Sequence, residues 1–362
     1  MSDSHSRVEA AIKAFAKGEI VVVTDDDDRE NEGDLFVAAS LCTPEKMAFI
    51  IRNTSGIVCA PLGIEHAHRL HLDPMVAEND APLGTAFTVT VDVRHGLSTG
   101  ISAEERTNTV RALANDNSGA SDFVRPGHVF PLVAREGGVL MRSGHTEACV
   151  DLCRLAGLPP VGVLSELMKD DGTVMRGPDV AAFASKHKLV QVSIAELISY
   201  RQSRDKLVER VGAFQLSSDI GTLNGYAYVT PFDRVHHMAF VYGDVGDGKN
   251  VLARLHRADV IGDVFGGAKS IRAALARFKA EGRGVIVYLR DGTAGVPVAE
   301  IPHADTETEA ARSRQWREIG LGAQILKDLG ISSIRLLASS KRTYVGLGGF
   351  GIEIAATEPL EG

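Results

Sequence analysis

The chain has 362 residues, a length that predicts two domains of ordinary size. Hydrophobic residues make up 44% and charged residues 24%, a soluble globular balance that excludes disorder, collagen and coiled coil. With 39 Lys and Arg against 47 Asp and Glu the net charge is −8, which argues against nucleic-acid binding and for a small substrate or a protein partner.

In chain order, Val8, Ala11, Ile12 and Phe15 recur at helical spacing until Gly18 breaks the pattern, and 20–23 reads as a short buried strand. The alternation continues with a helix over 44–53, extended segments over 57–60 and 87–93, and a helix over 104–114. A helix over 146–156 stops at Gly157, a strand follows over 161–167, and Asp170-Asp171-Gly172 turns the chain. The charged stretch after Tyr200 and the new strand-like runs 226–229 and 238–242 put a domain boundary at 205/206, giving domains 1–205 and 206–362. The second half is clearest at 268–278, 318–329 and 332–337. The fold class expected is α/β or α+β in both halves. No stretch of 18 apolar residues occurs and the first 17 residues lack a signal-peptide core, so a cytoplasmic protein without a membrane role is expected. The four cysteines, Cys42, Cys59, Cys149 and Cys153, are too sparse for a disulfide scaffold and read as free thiols; none follows Arg154.

The run Asp25 to Asp34 holds seven acids and one Arg, a local charge of −6. A solvated loop is the bland reading. Its place after a buried strand, where α/β proteins put ligands, favours a bound cation, and oxygen ligands favour Mg²⁺ or Mn²⁺. Gly33 in this charged loop suggests a backbone that bends or moves over a substrate. Arg142-Ser143-Gly144-His145-Thr146 precedes a helix and suits a phosphate: N–H groups at a positive helix end, a forked cation, a hydroxyl and close backbone approach. His145 is then left to ligate a metal or carry a proton; a helix cap with a surface His is the alternative. His128, set between Pro126-Gly127 and Pro131, is held more tightly than an ordinary loop His. Glu166 is an acid at the end of an apolar strand, and Cys59 reads first as a buried small hydrophobe.

Five segments together resemble the 3,4-dihydroxy-2-butanone 4-phosphate synthase family over about residues 5 to 200. They are Asp27-Asp28-Arg29-Glu30-Asn31-Glu32-Gly33-Asp34, Thr54-Ser55-Gly56-Ile57-Val58-Cys59, Arg125-Pro126-Gly127-His128-Val129-Phe130-Pro131, Arg142-Ser143-Gly144-His145-Thr146-Glu147-Ala148 and Asp170-Asp171-Gly172-Thr173. The resemblance implies conversion of D-ribulose 5-phosphate to L-3,4-dihydroxy-2-butanone 4-phosphate and formate, with Mg²⁺ or Mn²⁺, in a homodimer. It implies Glu30 and His145 as metal ligands and Arg29, Asp34 and Cys59 as substrate contacts. Arg142, Ser143, Gly144, His145 and Thr146 become the phosphate and sugar cradle, and His128, Glu166 and Glu32 the groups that carry protons, with Glu166 also touching substrate.

The second half is similar to GTP cyclohydrolase II in Gly262-Asp263-Val264-Phe265-Gly266, Gly322 to Gly330 and Gly349 to Ile354. That family holds a catalytic zinc with three cysteines, whose positions here carry Asp259, Ser270 and Arg272. Zinc needs thiolates or imidazoles, and an Arg would repel it, so no zinc is expected. Arg290-Asp291-Gly292-Thr293-Ala294-Gly295 stands where the family binds phosphate, and Gln315, ahead of Arg317, where it has a catalytic Asp. The resemblance thus implies a non-catalytic scaffold or regulator. A chain whose second half still opens GTP without that metal, and a wholly non-catalytic module, are the competing readings.

Overall fold

Two seven-stranded mixed sheets carry the fold, one in each of the units Met1–Tyr200 and Arg201–Gly362. The computed structural model describes residues 3–25, 30–231, 233–290, 320–338 and 352–360. Arg29, Asp291 to Gly295, Gln315, Arg317 and Gly349 to Gly351 lie outside the described residues.

The first unit contains β1 (Val21–Thr24), β2 (Gly33–Ala38), β3 (Cys59–Leu62), β4 (Val91–Val93), β5 (Phe123–Val133), β6 (Gly162–Glu166) and β7 (Val190–Ser193). They lie in the order β4-β5-β3-β6-β2-β1-β7. Its helices are α1 (Asp3–Ala16), α2 (Pro44–Asn53), α3 (Ile64–Arg69), α4 (Ala103–Leu113), α5 (His145–Leu155), α6 (Pro178–His187) and α7 (Ile194–Arg204). Local chemistry sets several starts. Thr43 accepts the N–H of Lys46 with Pro44 in the first turn of α2, and Ser102 with Glu105 closes a capping box on α4. Every residue of β2 and β3 is buried, and Val22, Leu35, Val37, Ala60 and Val163 join one apolar cluster. Such runs lack hydrophobic alternation because neither face meets water.

Three expectations change. Gly33 and Asp34 do not belong to the acidic loop: they open β2, pairing with Thr24 and Val23, so the acidic segment connects an antiparallel pair. Gly33 is not a hinge, because a Cβ there would lie 2.6 Å from Val180 Cγ1 of α6. Close packing, not mobility, requires the glycine, and Asn31 supplies the left-handed turn instead (φ 53°). His128 is not in a loop but on β5; Pro126 and Gly127 are tolerated beside it because the strand is bulged there.

The second unit holds β8 (Glu209–Ser218), β9 (Gly221–Thr230), β10 (Asp233–Tyr242), β11 (Val251–Arg257), β12 (Gly284–Leu289), β13 (Ser333–Ala338) and β14 (Glu353–Pro359), with α8 (Lys269–Glu281) and helical residues over 320–328. β8, β9 and β10 form an antiparallel meander, while β11 pairs in parallel with β12 and β13. Leu252, Ala274, Phe278, Ile286 and Leu337 form its core. The charged stretch after Tyr200 continues α7, where Arg201 and Asp205 pair at 2.6 Å one turn apart. Among the described residues no helix is long and apolar enough to cross a membrane. All four cysteines are buried free thiols.

Candidate active site

β1 ends at Thr24 and delivers Asp25, which is buried and accepts the backbone N–H groups of Glu30 (3.1 Å) and Glu32 (2.9 Å). This double acceptance folds the acidic connection back on itself. It carries Glu30 to α5, where its carboxylate lies 3.5 Å from His145 Nδ1. Asp25, Glu30 and His145 each offer a ligand atom, and these atoms lie within 4.8 Å of one another. Two carboxylates and one imidazole in that space match the donor set of a hard divalent cation. Asp25 was not singled out in the sequence, although its place directly after a buried strand was a usable signal.

Beside this group β2 and β6 set Asp34 opposite Glu166. Like charges directly opposed on neighbouring strands destabilise a sheet, and proteins keep such conflicts at functional sites. Asp34 is 2% exposed, its Oδ1 lies 3.9 Å from His145 Nε2, and that oxygen has no hydrogen-bond partner among the described residues. Burial pushes its pKa up to about 7; His145 opposes the rise, while Glu166, Glu30 and Glu32 add to it. Glu166 stands at the open end of β6, and partial desolvation with Glu32 and Glu30 nearby raises its pKa as well. Cys59 on β3 is buried, and burial together with the charges of Asp34 and Glu166 keeps its thiol protonated. Glu32 faces Arg176 at 3.2 Å, a partner that no local pattern marks. Phe36, on the same face of β2 as Asp34, packs edge-on against His145 at 6.1 Å.

Gly144 is the N-cap of α5, whose first turn holds His145, Thr146 and Glu147, all buried. A Cβ on Gly144 would lie 2.2 Å from Arg142 Nη1. Arg142 is tied down: Nη1 donates to Glu147 at 2.7 Å, and Nη2 donates to the Leu83 carbonyl and to Thr85 at 3.2 Å. Glu147 also accepts the N–H of Arg135, so this acid, named in the motif without a role, organises the cradle's charge. Ser143 is half-buried ahead of the cap.

His128 lies on the far side of β3 from this cluster. Phe130 pairs with Cys59, and Cys59 with Leu164, so β3 separates β5 from β6, two strand spacings or about 10 Å. Its partner is Asp92 of β4, another buried acid in an apolar strand.

In the second unit Asp259 accepts the N–H of Gly262 at 3.1 Å, while Ser270 and the exposed Arg272 lie on α8. His256 Nε2 is 2.9 Å from Asp263, which also accepts the Tyr288 hydroxyl at 2.7 Å and the Asp259 N–H at 3.1 Å.

A carboxylate–histidine centre at the strand ends of a mixed sheet defines an α/β enzyme. Residues 9–200 match the family described as 3,4-dihydroxy-2-butanone 4-phosphate synthase, and residues 209–359 match GTP cyclohydrolase II. The "Bifunctional riboflavin biosynthesis protein RIBA 1, chloroplastic" of Arabidopsis thaliana is 46% identical, over 98% of this chain and 69% of that protein. The "Riboflavin biosynthesis protein RibBA" of Salinispora arenicola is 45% identical, over 98% and 88%. A crystal structure of RibBX, described as a two-domain 3,4-dihydroxy-2-butanone 4-phosphate synthase from A. baumannii, is 36% identical, with a TM-score of 0.79 covering 96% of this chain and 98% of that one. The chain belongs to the 3,4-dihydroxy-2-butanone 4-phosphate synthase family, a riboflavin biosynthesis enzyme with a GTP cyclohydrolase II-family unit behind it.

Proposed function

We propose that the first unit converts D-ribulose 5-phosphate to L-3,4-dihydroxy-2-butanone 4-phosphate and formate, and that the second unit opens no GTP and holds no zinc. The observation that carries the first half is the convergence of Asp25, Glu30 and His145 within 4.8 Å, beside a buried Asp34 oxygen that has no hydrogen-bond partner among the described residues. Glu30 and His145 would hold Mg²⁺ or Mn²⁺, joined by Asp25. A solved relative, 45% identical and covering 54% of this chain, is described in complex with two magnesium ions.

A divalent cation supplies stabilisation for the negative charge that develops when a proton leaves carbon next to a ketone. The chain's own groups do the rest. Asp34, with a pKa near neutrality, accepts or donates at a sugar hydroxyl, and Arg29 makes a further substrate contact. Glu166 and Glu32 take and return protons in successive steps, and His128, across β3 from them, is the further proton carrier that the resemblance implies. Cys59 contributes a neutral wall. The N-terminus of α5, with Arg142, Ser143, Gly144 and Thr146, receives the phosphate. The working form is a cytoplasmic homodimer, as the family resemblance implies.

For the second unit, the names of the bifunctional relatives favour retained GTP chemistry. Against it stand Asp259, Ser270 and Arg272 at the three zinc-ligand positions, and the RibBX relative is described by its synthase activity alone. Incubation with ribulose 5-phosphate and Mg²⁺, followed by proton NMR, should show formate. EDTA should abolish it and Mg²⁺ or Mn²⁺ restore it, and Glu30→Gln or His145→Ala should lower kcat on the order of 10²-fold or more. Full turnover in EDTA would remove the metal from the reading.

A further inference from the structure

The β4–β5 ladder breaks at one place. Val91 pairs with Val129, but the next residue, Asp92, pairs with Val124, so Arg125, Pro126, Gly127 and His128 form a bulge within β5, out of register with β4. A bulge re-aims a side chain. This one is closely built: Gly127 N–H donates to Thr90 Oγ1 at 3.0 Å, and a Cβ on Gly127 would lie 2.0 Å from the Val91 carbonyl carbon. Asp92 fills the bulge with both carboxylate oxygens. Oδ1 accepts the backbone N–H of His128 at 2.9 Å, and Oδ2 lies 2.7 Å from His128 Nδ1. The Asp92 side chain is 4% exposed and that of His128 41%. Gly100 (φ +84°) closes over the pair, since a Cβ there would lie 2.2 Å from Asp92 Oδ2 and 2.6 Å from His128 Nδ1. The buried Arg106 guanidinium interacts electrostatically with Asp92.

An ionised carboxylate only accepts hydrogen bonds. Its contact with Nδ1 therefore requires the proton there, and the neutral ring is left with a lone pair on Nε2. Bracing the bulge needs only the oxygen that takes the backbone N–H; the second oxygen acts on the ring. We propose that Asp92 is a positioning residue for the synthase reaction, fixing His128 as its Nδ1-protonated tautomer so that Nε2 can take a proton. This rests on the reading of His128 as a proton carrier.

The test is Asp92→Asn in the full chain. Asparagine keeps the shape and an oxygen for the backbone N–H, but its amide donates to Nδ1 and moves the ring proton to Nε2. The expected result is a kcat lower by about 10²- to 10⁴-fold, the range for lost general acid–base catalysis, with a wrong tautomer at the upper end. KM should stay within about 3-fold and the melting temperature within a few degrees. ¹⁵N-ring-labelled histidine spectra, with His128 assigned by its disappearance in His128→Gln, should show the proton on Nδ1 in the parent and on Nε2 in the variant. Near-parental kcat in Asp92→Asn, or a parent ring protonated on Nε2, overturns the proposal; the second measurement needs no variant at position 92 to fold. The premise is tested separately: near-normal kcat in His128→Ala would sink the proton-carrier reading itself, whatever the spectra show.

Discussion

At Asp34 a carboxyl group sits on a fully buried strand, opposite Glu166 and within reach of His145. Its folded-state pKa is raised from 3.8 to about 7. The unfolded chain ionises this group near pH 4, so between about pH 4 and 7 the folded state binds more protons and stability falls as pH rises, levelling above 7. A shift of that size corresponds to at most about 4 kcal/mol. In EDTA, Asp34→Asn should therefore stabilise the protein toward urea at pH 8 by up to about 4 kcal/mol, with a much smaller effect at pH 4, while formate release is lost. Adding Mg²⁺ at pH 8 should narrow the gap. An equal difference at both pH values would show that burial of charge is not the cause. The acid-in-an-apolar-strand pattern that marked Glu166 in the sequence also marks Asp92 in Val91-Asp92-Val93, and Asp92 went unread there. Glu147 and Arg176 were hidden for another reason, because their partners Arg142 and Glu32 are brought to them by the fold.

Helices were the legible elements. The stretch 44–53 matches α2 residue for residue, since Thr43-Pro44 punctuates its start and its apolar face repeats at helical spacing. β2 was obscured because its first residues, Gly33-Asp34, read as the tail of an acidic loop. β5 was obscured because Pro126, Gly127 and Pro131 carry turn signals; the bulge absorbs the first two, while Pro131 pairs with Ala60 in the ladder. The identity of Gly33 is likewise a packing fact that no local pattern reveals. Gly33→Ala would drive a methyl into the branched Val180 side chain, whose two methyls lie 2.6 and 2.8 Å from the new Cβ. Overpacking of this kind costs about 1–3 kcal/mol. Val180→Ala should recover much of that loss in the Gly33→Ala background while destabilising the parent. Urea titrations of the four proteins decide it: additive effects would mean that the contact does not explain the glycine.

Across the whole molecule, two families account for 9–200 and 209–359, while the expected loss of chemistry in the second rests on ligand count. A catalytic zinc takes three protein ligands. Of the groups at hand, Asp259 is engaged by the N–H of Gly262, Ser270 offers a hydroxyl, Arg272 is a cation, and His256 has Nε2 against Asp263 and Nδ1 buried. Burial works against the Asp263 charge, yet the Tyr288 hydroxyl, the Asp259 N–H and His256 hold its pKa below the ordinary value. Its carboxylate is thus already satisfied without a metal. Elemental analysis of the dialysed full chain should find no stoichiometric zinc, and GTP should yield no formate under conditions where ribulose 5-phosphate does. Asp259→Cys with Ser270→Cys and Arg272→Cys should restore zinc binding but not hydrolysis. The resemblance puts Gln315 at the position of a catalytic Asp, and an amide cannot serve as the carboxylate base. One zinc per parent chain, or any protein-dependent formate from GTP, would return the second unit to the catalysts.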